Sequence, residues 1–386
     1  MTTYWFYHYI DRYIGIGLII TFFLFKKFSE IFKKNKIFTI KKILIIKLSM
    51  IGDTILLYPA VKSIKEKFSQ VQVTMLCSDI NLEIVKKWNF IDEVIVFKVN
   101  EFLKNPFSIF NLIFKIKNRR FDIAIDFEQW FRITAILAFL YAKFKIGFKT
   151  QNQFRHYLFD KAILHRRKKH EVECFCELVE VLGIKVENKQ LCLPMDNQTI
   201  LKMEKLINNY NLEKKQFIII HPGCGIHGQY RQWDIEKYVE VAEYVVSRYN
   251  LNVVLTGSKD DLKIVKKIMK ISKVNFINFV GKTTLEELIS LVSMAKFVIC
   301  GNTGVLHIAA AVRTPTIAIH GPTDPAKWGP WGEGHIIVKS NLKCAPCSYL
   351  GFEYKCKKRK CLKNITKEDV INSIDYMISS LKLHNK

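Results

Sequence analysis

"KILIIKLSMIGDTILLYPAVKSIK", residues 42–65, joins an apolar run to an amphipathic helix pattern through a short polar break. The run from Ile43 to Ile46 is continuous rather than alternating, as in a strand buried on both faces of a parallel sheet. Gly52 and Asp53 stand just beyond it, so one carboxylate is delivered near the carboxyl end of a buried strand. That carboxylate has two readings. As a helix cap it accepts N–H bonds from a first turn, and its loss costs about 1 kcal/mol. As chemistry it faces a ligand held outside the strand ends.

The same alternation continues along the chain. "QVTMLC", "DEVIVF" and "FDIAIDF" (121–127) read as strands, with a helix around 80–88. "HRRKKHEVE" and a helix to Leu182 lead to "LCLPMDN", the expected end of a first domain, and a helix at 199–209 bridges to the next. "QFIIIHPG", "NVVLTGS", "NFINFVG", "KFVICGNTG" and "TPTIAIHGP" then read as strands, interleaved with helices over 234–248, 260–270, 284–294 and from about 304. The fold class expected is α/β, with two domains of parallel βαβ units at 39–198 and 199–386 after a segment 1–38. The length of 386 residues suits two domains of roughly 150–200 residues each.

The segment "YWFYHYIDRYIGIGLIITFFLF" (4–25) ends in a charge-free stretch from Tyr13 to Phe25, followed by a basic run to Lys42. That stretch is too short for a hydrocarbon core of roughly 30 Å, and lengthening it would bury Asp11 and Arg12. An interfacial helix on a membrane surface is expected, against the plainer reading of a helix packed on the protein's own core. Net charge is +25, from 60 Lys+Arg and 35 Asp+Glu, which implies an anionic partner. Anionic lipid and phosphorylated sugars qualify. No nucleic-acid motif accompanies the charge, so no nucleic-acid partner is expected. The N-terminus lacks the marks of a signal peptide, and the ten cysteines are read as reduced.

Strand ends in the second half supply His221-Pro222-Gly223, Gly257-Ser258, Gly281-Lys282-Thr283 and Gly301-Asn302-Thr303-Gly304. Glycine lets backbone N–H groups approach a ligand, and the following helix N-termini favour negative charge, so a diphosphate suits this edge. None of the four is a complete dinucleotide or P-loop motif. Thr303 and His307 lie four apart at a helix start, and Arg231 follows a glycine-rich loop where a guanidinium can fork onto phosphate. The plainer readings are ordinary turns, a satisfied histidine and a solvated arginine. Cys344, Cys347, Cys356 and Cys361 could close a structural zinc site, but their spacing is not that of a standard knuckle, and thiols are preferred.

Together the motifs resemble glycosyltransferase family 9, the heptosyltransferase-like enzymes of bacterial lipopolysaccharide assembly. The resemblance runs from about Lys42 to Ile374. It rests on the opening stretch, "HPGCG" with "YRQW", "FVGKTTLEELISLVSMAKFVICGNTGVLHIAAA", "HGPTDPAKWGPWG", and "CAPC" with "CLKNIT". It implies a GT-B architecture: two Rossmann-like domains whose parallel sheets face a central cleft, the first binding the acceptor and the second the nucleotide sugar. It also implies inverting transfer of a sugar, heptose above all, from a nucleotide-diphosphate donor such as ADP-heptose to an anionic lipid-linked saccharide, at the cytoplasmic face of the bacterial inner membrane. Asp53 then becomes the general base, its pKa raised by burial near residues such as Ile51 and Ile55. Lys47 and Ser49 match the acceptor side, and Gly223, Arg231, Asp261, Asn302, Thr303, Gly304 and His307 match donor-contacting positions.

Arg119, Arg120, Arg132 and Arg155 carry charge that would suit an anionic acceptor, Arg132 being the one taken as acceptor-binding. Arg231 stands where the family more often has lysine. Asn302 stands where it commonly has aspartate, and an amide brings no negative charge to a metal or basic group. A divalent metal is therefore not clearly required. The alternative function is a catalytically impaired module that only holds saccharide or lipid.

Overall fold

The continuous apolar runs form the strands of two sheets. The chain is described by a computed structural model covering residues 2–31, 39–105, 108–116, 118–350, 356 and 358–383. It divides into two compact units, Met1–Arg166 with Glu171–Lys189, and Arg167–His170 with Gln190–Lys386.

In the first unit β1 (Lys42–Ile46), β2 (Gln72–Ser78), β3 (Glu93–Phe97), β4 (Phe121–Asp126), β5 (Ala142–Lys149) and β6 (Lys161–Leu164) lie in the order β3-β2-β1-β4-β5-β6. The second unit holds β7 (Phe217–His221), β8 (Asn252–Leu255), β9 (Ile277–Asn278), β10 (Val298–Gly301), β11 (Thr316–His320) and β12 (His335–Lys339), in the order β12-β11-β10-β7-β8-β9. Every pairing is parallel. Read from its other end, the second order is the same winding as the first. Each sheet therefore reverses direction at one place, between β1 and β4 and between β7 and β10. Ligands bind outside the carboxyl ends of strands at such a switch point.

Ile43, Leu44, Ile45 and Ile46 are fully buried, in keeping with a central strand covered on both faces. Three strands had no clear signal in the sequence. β5, "AKFKIGFK", carries lysines that resemble a loop, yet Lys145 is buried and its Nζ lies 2.8 Å from Asp160. β6 and β12 are short and partly exposed. The helix expected over 80–88 is only Leu82–Val85.

Helix α1 (Thr2–Ile31) belongs to the first unit, although the basic run of 32–38 and the side chains of residues 2–10 lie outside what is described. Its inner face packs as the plainer reading expects. Ile19 is fully buried, and Phe22 and Phe23 meet the rings of Phe139 and Tyr157 at 5.6 and 5.0 Å. Among the described residues no helix is long and apolar enough to cross a membrane.

Asp11 fastens this helix to the fold. The helix Arg132–Tyr141 starts after Phe131, which offers no side-chain cap, and Asp11 Oδ1 accepts its Arg132 N–H at 2.9 Å and Ile133 N–H at 3.3 Å instead. Its other oxygen pairs with the Arg132 guanidinium at 3.3 Å. Asp11→Ala removes a cap and strands a buried cation, and is expected to cost about 3 kcal/mol. Urea unfolding of the two proteins at one pH measures it.

Candidate active site

In the first unit the switch point is built from the loops after β1 and β4. Met50 enters α2 (Ile51–Leu56) at φ 56°, a conformation rare for a residue with a side chain and costing about 1–3 kcal/mol. Asp53 is then the third residue of α2, not its cap, and no side-chain bond caps this helix. The cap reading is corrected by the stronger partner at hand: Asp53 Oδ2 lies 3.2 Å from the ammonium of Lys47. A carboxylate in the first turn still gains from the helix dipole.

Lys47 is fully buried and donates to Gln129 Oε1 at 2.8 Å, with Ser49 Oγ at 3.4 Å and Glu128 Oε2 at 3.7 Å. Glu128 in turn fixes the loop after β1. Its Oε1 accepts the N–H groups of Leu48 and Ser49, each at 2.7 Å, and the Ser49 hydroxyl lies 3.0 Å from both oxygens. Gln129 Nε2 donates to Glu171 at 2.7 Å, and Glu171 meets His165 Nε2 at 3.0 Å. Asn81 braces the loop from below, donating to Lys47 O at 3.0 Å and Thr54 Oγ1 at 2.8 Å. Lys47, Ser49 and Asp53 are thus brought together as a set.

Burial pushes the Asp53 pKa up to about 6, against the pull of Lys47 and with help from Glu171 and Glu128. Burial works against the charge on Lys47, but Glu128, Asp53 and Glu171 together hold its pKa above the ordinary lysine value. A carboxylate poised near neutrality beside a permanent cation can take a proton from a hydroxyl and return to the ionised form at working pH.

The arginines behave differently. Arg132, expected on the acceptor side, is 3% exposed with its guanidinium on Asp11, an ion pair that seats α1. Arg155, fully buried, pairs with Asp126 and donates to Glu128 O and to Thr134 Oγ1 at 3.1 Å. It is neither a solvated charge nor an open anion site, but a prop under the Glu128 loop. Arg119 pairs with Glu93.

In the second unit the switch point gathers the residues singled out in the sequence. His221 ends β7 and its Nδ1 lies 3.0 Å from Thr256 Oγ1. A Cβ on Gly223 would stand 2.2 Å from Asp261 Cγ, which is why glycine is needed there. Asp261 Oδ2 accepts the N–H and the hydroxyl of Ser258, each at 2.8 Å, in a capping box. Gly223→Ala is expected to push Asp261 off this box and to cost about 1–3 kcal/mol, read by denaturant unfolding.

Gly301 ends β10, Asn302 is buried, and Thr303 precedes the helix Gly304–Ala311 without capping it. Among the described residues, four buried polar atoms here have no hydrogen-bond partner: Arg231 Nε, Thr303 Oγ1, His307 Nδ1 and His320 Nε2. Leaving such groups unpaired costs about 1–3 kcal/mol apiece, a cost that a polar ligand at this edge would relieve. Burial, then the nearby His170, His320, Arg231 and His335, lower the His307 pKa to about 3, and burial lowers His320 to about 4. Both imidazoles are therefore neutral at physiological pH. His307 can therefore offer hydrogen bonds but no charge, and the charge of this set rests on Arg231.

Cys344 and Cys347 are exposed, Cys356 is half-buried and Cys361 buried, and among the described residues no three of them lie within ligand reach of one another. The group that does is His165, Glu171 and Cys174, whose ligand atoms lie within 4.8 Å. The bond between His165 and Glu171 accounts for its compactness.

Glu128, Gln129, Asn81 and Glu171 carried no motif of their own. Their part shows only once β1 and β4 are side by side in the sheet.

Two parallel sheets of one winding, each with a set of buried polar groups at its switch point, define a two-unit α/β protein of the Rossmann-like class. The description "Glycosyltransferase family 9 (heptosyltransferase)" matches residues 109–358, and the chain belongs to that family. It is 26% identical over 346 residues to the lipopolysaccharide core heptosyltransferase OpsX of Haemophilus influenzae, covering 86% of this chain and 96% of that one. To lipooligosaccharide heptosyltransferase 2 of Campylobacter jejuni it is 25% identical over 339 residues, covering 86% and 97%. The fold is shared with a family 9 glycosyltransferase of Veillonella parvula, at TM-score 0.75 and 20% identity over 90% of this chain and 100% of that one. It is also shared with the ADP-heptose heptosyltransferase II of Escherichia coli, at TM-score 0.67 and 19% identity over 88% and 99%.

Proposed function

We propose that the chain transfers heptose from ADP-heptose to a lipid-linked saccharide of the lipopolysaccharide type, with inversion. The observation that carries the reading is Asp53, a buried carboxylate with its pKa near 6 at the switch point of the first sheet. In the proposed step Asp53 takes the proton of an acceptor hydroxyl. The oxygen then attacks the anomeric carbon of the heptose, the bond from that carbon to the diphosphate oxygen breaks, and ADP leaves with its electron pair. Lys47 holds the base in its ionised form, and Ser49 shapes the loop on which the acceptor hydroxyl lies. On the donor side Arg231 offsets charge on the departing diphosphate, while Thr303 and His307 supply hydrogen bonds. The backbone at Gly223, Asn302 and Gly304 lets the nucleotide approach, and the carboxylate of Asp261 suits a hydroxyl of the ribose better than a phosphate. The names of the relatives support heptose and a lipopolysaccharide acceptor. A lipid-linked acceptor of that type supports a peripheral position at the cytoplasmic face of the inner membrane.

The test is nucleoside diphosphate release from a panel of ADP-, UDP- and GDP-sugars, with lipid-linked saccharide from a heptose-deficient bacterium as acceptor. ADP released from ADP-heptose only when acceptor is present is the expected result. Nucleotide binding with no release from any donor would favour the impaired binding module.

A further inference from the structure

We propose that the outward face of α1 is a docking surface for an anionic lipid bilayer. A surface helix needs one apolar stripe to pack against its own core, and α1 has that stripe in Gly15, Ile19, Phe22 and Phe23. It has a second stripe on the opposite side. Ile14, Leu18, Ile20, Leu24 and Phe25 are each between 41% and 63% exposed. No charged residue lies between Tyr13 and Phe25 to interrupt them.

The charges at the two ends are sorted. Asp11 turns inward to Arg132, and Lys26 turns inward to donate to Phe159 O at 2.6 Å, with Asp160 at 3.6 Å. Arg12 and Lys27 stay exposed at the ends of the apolar stripe. Phe154 and Tyr157 extend the surface beyond the helix, being 41% and 40% exposed beside Phe23. An apolar face with cations at its ends is complementary to acyl chains beneath anionic headgroups. Pairing with a second copy would bring the same cations against each other on a chain of net charge +25. Among the described residues no helix is long and apolar enough to cross, and the contact proposed is interfacial. Because Asp11 and Lys26 lock the helix to the unit that carries Asp53, the surface fixes the base relative to the lipid.

This inference deepens the membrane part of the proposed function, and lipid binding is read without turnover, so a failed transfer assay leaves it intact. The full chain is sedimented with vesicles of phosphatidylglycerol and phosphatidylethanolamine, and with phosphatidylcholine alone. The wild-type chain is expected to bind the anionic vesicles and to release with salt. The triple variant Ile14→Ser, Leu18→Ser, Phe25→Ser is expected to bind at least tenfold more weakly, with its ADP affinity unchanged. Because that variant could lose its fold, Leu18→Trp is read as well, and its emission is expected to shift to the blue on adding anionic vesicles. Equal binding by the triple variant, or no shift from the tryptophan, overturns the proposal. So does a change from dimer to monomer in the triple variant without loss of lipid binding, which would make the face a contact between copies.

Discussion

Asp53→Asn is expected to slow sugar transfer by about 10²- to 10⁴-fold without loss of fold, as removal of a general base does. The amide has the same shape and still accepts a bond from Lys47, but it cannot take a proton. Stability separates this from simple damage. The Asp53 pKa is raised by burial to about 6, so between the unfolded value near 4 and pH 6 the folded chain binds more protons than the unfolded one. Stability therefore falls as pH rises through that window, and above it the buried charge costs about 3 kcal/mol. Asp53→Asn removes that cost, and at pH 8 it should melt no lower than the wild type. The same titration sets the rate. Because the ionised form is the base, kcat/KM is expected to drop below about pH 6. A variant that kept its rate, or a wild-type profile flat down to pH 4, would remove Asp53 from the chemistry.

Arg231→Ala is the second large effect, an expected loss of about 10²- to 10³-fold in kcat, the range seen when one donor to a developing anion is removed. His307 and His320 lie near Arg231 and are neutral, so neither can replace its charge. Among the described residues the buried Arg231 Nε has no hydrogen-bond partner, so its removal strands no partner of that nitrogen. The rate is expected to suffer more than nucleotide affinity, because charge on the diphosphate grows as the bond breaks. Arg231→Lys should restore part of the rate, since an ammonium keeps the charge but not the fork. Steady-state rates beside calorimetric ADP affinities distinguish these cases, and unchanged values in both would take Arg231 out of the donor site.

Much of this was legible along the chain because it is local. A buried parallel strand needs an uninterrupted apolar run, and its carboxyl end needs small residues, so β1, β7 and β10 with their glycine turns stand out from neighbours a few residues away. For the same reason Asp53, Gly223, Thr303 and His307 could be picked as candidates. Lysine-rich β5 escaped notice because Asp160, which makes burial of Lys145 tolerable, lies outside that strand.

The alternation of buried strands and helices, with an aspartate and a polar set just beyond strand ends, is written in local sequence. Which charges are spoken for is settled by long-range contacts. Glu128 reaches the Asp53 loop across 79 and 80 residues of chain, and Asp11 reaches Arg132 across 121. A charge in the interior takes its pKa and its role from the groups within a few ångströms, and those come from distant segments that only the sheet order brings together. That is why Asp53 holds a raised pKa beside Lys47, Arg132 is a fastening and His307 is a neutral imidazole.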